Sequence, residues 1–100
     1  MCVALERVVI PEGVTSVEAW TFLHCESLKE VVLPRTLRRV REEAFLACAA
    51  LKRVELPVGT EDVGVRAFRR CVGLEEVMAS PHTRIHESAV PSGVLRRREK

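Results

Sequence analysis

Leucines stand at positions 5, 28, 51 and 74, each 23 residues from the next, and the residues between them repeat as well. Numbering each period from its leucine, position 4 holds Val8, Val31, Val54 and Val77, and position 6 holds Ile10, Leu33, Leu56 and Ala79. Position 7 is Pro11, Pro34 and Pro57; position 13 is Val17, Val40 and Val63. Position 18 is Phe22, Phe45 and Phe68, and position 21 is Cys25, Cys48 and Cys71, with Cys2 in the same column one period earlier. A spacing kept without insertions makes each period one structural unit. A unit of this size cannot bury its own apolar face, but stacked units can.

The spacing within a period predicts its local structure. In "LxxVxL" the apolar residues at positions 4 and 6 alternate, so both point to one side of a short strand. Proline at position 7 has no N–H for the next strand and ends the ladder. The pair at positions 17 and 18, followed by cysteine at 21, has the spacing of one helical turn. The phenylalanines and cysteines thus form the expected spine: Phe22, Phe45, Phe68, Cys25, Cys48 and Cys71.

The segments "LERVVIPEGVTSVEAWTFLHCES", "LKEVVLPRTLRRVREEAFLACAA" and "LKRVELPVGTEDVGVRAFRRCVG" resemble a leucine-rich repeat of the BspA-like, or Treponema pallidum, class. Position 9, where a generic leucine-rich repeat has Asn or Cys, is Gly13, Thr36 and Gly59. The resemblance implies an α/β solenoid: a short right-handed stack of about four coils, with a parallel sheet on the concave face and a helical turn behind. One domain is expected over residues 1–93, with repeats 5–27, 28–50 and 51–73 and a degenerate capping repeat 74–93. In that last repeat Ala79 and Ser80 replace the apolar–proline pair. If Ile85 fills position 13 and Ala89 and Val90 replace the Ala-Phe pair, one residue is deleted near Pro81. Residues 94–100 read as a basic, solvated tail. Met1 enters in mid-repeat, so the first coil offers an uncapped edge, and end-to-end self-association or stacking within a longer solenoid is expected there.

The residues offer little for catalysis. There is no Gly-rich phosphate loop and no Gly-x-Ser-x-Gly, and no carboxylate pair stands out as an acid–base couple, so no enzyme and no cofactor are expected. The cysteines read as a ladder of buried free thiols. Parallel Cβ vectors oppose a disulfide, and a linear array does not converge on zinc. His82 and His86 in "HTRIH" have i, i+4 spacing but follow Pro81 in the degraded repeat, so they read as exposed side chains and no metal site is expected. The formal charge is +2, and no stretch approaches the ~20 apolar residues of a membrane span. With no visible signal peptide and unpaired thiols, the chain reads as cytoplasmic, or as surface or secreted if it is a fragment.

The outward strand positions are more informative. Position 3 alternates in sign through Arg7, Glu30, Arg53 and Glu76, a ladder that holds register between coils. Position 5 is Val9, Val32, Glu55 and Met78, an apolar column rimmed by charge with no core to enter. Trp20 is a second candidate anchor. These eight residues and Trp20 constitute the candidate partner-binding surface.

Members of the resembled class are mostly read as protein-interaction modules, many of them bacterial surface adhesins. The expected function is therefore non-catalytic binding of a protein partner. The alternatives are a structural segment of a longer solenoid and a weak polyanion binder using the arginines of "RTLRRVR", Arg69 and Arg70. Nucleic acid is not the expected partner.

Overall fold

The computed structural model describes residues 4–98. Each period makes two short strands, and successive periods lay equivalent strands side by side in parallel. The first strands are β1 (Arg7–Val9), β3 (Glu30–Val32), β5 (Arg53–Glu55) and β7 (Glu76–Ala79). The second strands are β2 (Ser16–Val17), β4 (Arg39–Val40), β6 (Asp62–Val63) and β8 (Arg84–Ile85), and β9 (Leu95–Arg97) follows. The second strands form one continuous sheet in the order β2-β4-β6-β8. The result is a parallel β-solenoid of about three turns.

Register follows the repeat. Val8 lies opposite Val31 and Val54 opposite Val77, and Val17, Val40 and Val63 stand in line. Leu28, Leu37, Leu51, Leu56, Val40 and Val77 are fully buried. The last period carries the expected deletion: Ile85 lies opposite Val63, and the Phe68 N–H donates to the Ala89 carbonyl at 2.9 Å, as Phe45 does to Ala67 at 2.8 Å.

The third side of each coil differs from expectation. No helix forms among the described residues, so the α component and the helical turn are absent. The cause lies at positions 16 and 20. Trp20, Glu43 and Arg66 have φ of 62°, 55° and 54°, and His24, Ala47 and Arg70 have 57°, 66° and 63°. In each of the first three coils two left-handed residues lie on either side of the phenylalanine and break any α-helical run. They also turn alternate amides toward the next coil. Phe22 thus donates to Ala44, and His24 to Leu46, each at 2.9 Å. The third side becomes a hydrogen-bonded ladder in its own right.

Left-handed backbone costs a non-glycine residue about 1–2 kcal/mol, partly offset in glycine by its greater loss of chain entropy. Arg70 is exposed, so removing its side chain sacrifices little packing. Arg70→Gly is expected to stabilise the protein by about 0.5–1 kcal/mol, raising the melting temperature by a few degrees. A lowered melting temperature would contradict this account of the strain.

The spine sits inside this side. The Phe22 and Phe45 rings stack with centroids 5.1 Å apart and planes 9° from parallel, and Phe45 and Phe68 repeat the arrangement at 5.1 Å and 4°. The thiols have a definite role: Cys48 Sγ donates to the Phe22 carbonyl and Cys71 Sγ to the Phe45 carbonyl, both at 3.1 Å. Hydrogen bonding with the Cys48 sulfur, together with burial, pushes the Cys71 thiol up and keeps it protonated.

The free-thiol ladder holds at Cys48 and Cys71 but not at Cys25, which is disulfide-bonded. Strands about 4.8 Å apart fall within the roughly 4.4–6.8 Å Cα separation of disulfides, so the stacking distance itself is no bar. Cys2 lies outside the described residues.

The segment read as a tail is folded through Arg98. Strand β9 pairs in parallel with β7, placing Leu95 opposite Val77, and Val94 is buried. Arg97 Nη1 donates to the carbonyls of Ser80 at 2.6 Å and Thr83 at 2.7 Å, both within buried residues.

Candidate interaction surface

Alternation within the first strands decides which side chains reach this surface. Position 4 turns inward, so positions 3 and 5 turn outward. Val9 is 56% exposed and Val32 37%, while Met78 is half-buried. Glu55 interrupts the apolar column, but its carboxylate accepts from Arg98 Nη2 at 2.9 Å. That contact spans β7 and could not be read from the repeat, because Arg98 lies outside it.

The position-3 ladder forms only in pairs. Arg7 Nε meets Glu30 at 2.9 Å and Arg53 Nε meets Glu76 at 3.9 Å. No ion pair joins Glu30 to Arg53 among the described residues. The backbone shows the same interruption: β1 pairs with β3, and β7 pairs with β5 on one side and β9 on the other, but β3 and β5 share no ladder. The first sheet is therefore split, although β4 and β6 remain paired behind the split. A groove of about 760 Å³ lies over it, lined among others by Lys29, Val32, Lys52, Glu55 and Met78. The structure thus brings Val32, Glu55, Met78, Glu30, Arg53 and Glu76 to one groove. Arg7 and Val9 lie on β1 beside it.

Trp20 is elsewhere, on the third side, and is 57% exposed rather than packed beside Phe22. Its indole N–H donates to Glu43 Oε1 at 2.8 Å, and Arg66 Nε donates to the other carboxylate oxygen at 3.3 Å. The bond from Trp20, with help from Arg66, holds the Glu43 carboxyl below the usual carboxylate range. A folded-state pKa below the unfolded one stabilises the fold above the ordinary carboxylate range, and that contribution is lost as pH falls through the folded value. Trp20 is the sole tryptophan, so its fluorescence should report an acid transition below the ordinary carboxylate range. Glu43→Gln should abolish the transition, and a transition unchanged in that variant would refute the assignment.

The arginines Arg38, Arg39, Arg41 and Arg84 are engaged by acceptors of their own surface. On the second-strand face Asp62 is shared by Arg39 at 3.4 Å and Arg84 at 3.6 Å, and Arg41 lies 3.9 Å from Glu42. Arg38 Nη1 donates to the Gly59 carbonyl at 3.2 Å. His82, His86 and His24 are exposed. No cluster of three or more metal-ligating side chains occurs among the described residues, and no helix there is long and apolar enough to cross a membrane.

Two comparisons bear on this arrangement. The family model for the BspA type leucine rich repeat region (6 copies) matches residues 1–93. The crystal structure of a leucine rich cell surface protein from Faecalibacterium prausnitzii A2-165 superimposes with a TM-score of 0.74 at 37% sequence identity. The match covers 78% of this chain and 20% of that one, so the chain spans about a fifth of the length of the protein it resembles. No curated protein matches the sequence.

Proposed function

The chain belongs to the BspA-type leucine-rich repeat family, and from that premise we propose that it is a non-catalytic module binding a protein partner on the β1-β3 and β5-β7 face. The observation that carries this reading is the exposed pair Val9 and Val32, two aliphatic side chains on adjacent strands, rimmed by charge and open to solvent. Burying such a patch supplies the apolar centre that an interface needs, and the surrounding charges supply its rim. The family's folds are typically non-catalytic, which agrees with this role.

Capture of a partner by the folded protein, compared with a Val9→Asp, Val32→Asp double variant, tests the proposal. The variant is expected to stay folded with a somewhat lowered melting temperature, because the two aspartates face each other across β1 and β3, and to lose the partner. Retention of the same partner would move the function off this face.

A second reading has its own support. Among the described residues β1 has a strand neighbour on one side only, and Leu5 beside it is 39% exposed. The similar cell surface protein is about five times longer than the matched segment. The chain would then extend a longer stack through its first coil. A molecular mass rising with concentration favours this reading, and a mass that stays monomeric counts against it.

The resemblance to a cell surface protein and the disulfide at Cys25 favour a surface location over a cytoplasmic one. The carboxylate partners of Arg39, Arg41 and Arg84 disfavour polyanion binding.

A further inference from the structure

The split between β3 and β5 coincides with a fault in the charge pattern. Position 2 runs Glu6, Lys29, Lys52, Glu75 along the stack, so the two lysines are neighbours where the ladder fails. Among the described residues each is paired only from its far side, Lys29 by Glu6 at 4.0 Å and Lys52 by Glu75 at 4.0 Å, and each side chain remains 67% exposed. Like charges directly opposite one another oppose strand pairing, and an anion placed between them relieves the repulsion.

The acidic side chains of the groove are already engaged. Glu30 is held by Arg7, Glu76 by Arg53, Glu55 by Arg98, and Glu75 by Lys52 from its far side. Val32 and Met78 provide apolar contact on either side.

We propose that the groove over this seam binds an acidic segment of a protein partner, with one carboxylate seated between Lys29 and Lys52 and an apolar neighbour resting on Val32 and Met78. The proposal rests on the interaction-module reading above and names the chemistry of its partner.

Fluorescence anisotropy with three labelled eight-residue peptides tests it. One alternates Glu with Val, and the other two carry Gln or Lys in place of every Glu. The acidic peptide is expected to bind at least about tenfold more tightly than the Gln peptide, with affinity falling as salt rises. Lys29→Ala, Lys52→Ala should lose at least about tenfold toward the acidic peptide, whereas Lys29→Arg, Lys52→Arg should retain binding.

Equal binding of the three peptides, preference for the Lys peptide, no binding of the acidic peptide, or indifference to the alanine variant would each overturn the proposal. The Val9→Asp, Val32→Asp capture separates the two levels. A partner lost there while the acidic peptide fails to bind removes only the acidic-segment assignment. A partner retained there removes the face as well.

Discussion

Phe45→Ala is expected to lower the unfolding free energy by about 3–5 kcal/mol, the range for truncating a fully buried phenylalanine. Phe45 is wholly buried and is stacked on both faces, by Phe22 and by Phe68. Its removal opens a cavity at the middle of the spine and breaks two aromatic contacts at once. Domains of this size have only ~5–15 kcal/mol to lose, so the variant should be largely unfolded well below the wild-type melting temperature. Phe22→Ala should cost less, because Phe22 stacks on one described ring and is 8% exposed. Denaturant titration of both variants is the check. Equal midpoints for Phe45→Ala and wild type would refute the spine.

The second large effect is at the other end of the stack. Arg97→Ala is expected to cost about 2–4 kcal/mol, because two carbonyls each lose a charged donor worth roughly 1.5–3 kcal/mol before water partly replaces it. Ser80 and Thr83, which carry those carbonyls, are each 2% exposed. Arg97→Lys should fall between the variant and wild type, since an ammonium cannot reproduce the reach and geometry of the guanidinium. Arg98→Ala should lose chiefly its bond to the carbonyl of buried Leu56, at 2.9 Å, because its charged partner Glu55 has a side chain 78% exposed and contributes little. An Arg97→Ala protein as stable as wild type would show that β9 closes the stack without this anchor.

The parts of this fold that were legible in the sequence are those that repeat. Each coil meets its neighbour at the same column, so Val8, Val31, Val54 and Val77, or Phe22, Phe45 and Phe68, reveal both burial and register by recurring. The one-residue deletion was legible too, because Ile85 and Ala89 keep the chemistry of Val63 and Ala67. The third side was misread because spacing alone does not distinguish a helical turn from two tight turns joined by left-handed residues. Positions 16 and 20 carry no glycine or asparagine to signal that backbone; they hold Trp20, Glu43, Arg66, His24, Ala47 and Arg70.

The candidate surface was only half legible. The outward columns follow from alternation, but the split does not. It depends on which neighbours share a ladder, and the clue was the like-charged pair Lys29 and Lys52 within an otherwise balanced column. Arg97 and Arg98 escaped because their partners lie in other coils and no period relates them.

The split also bears on how the stack comes apart. Most coil boundaries are fastened along all three sides by backbone bonds, but between repeats 28–50 and 51–73 only the β4–β6 pairing and the phenylalanine side hold among the described residues. In a chain whose cooperativity is the sum of nearest-neighbour couplings, that boundary is the weakest link. The molecule should behave as two foldons hinged along their backs, and amide exchange along the facing edges of β3 and β5 should outpace exchange in the continuous sheet of β2, β4, β6 and β8.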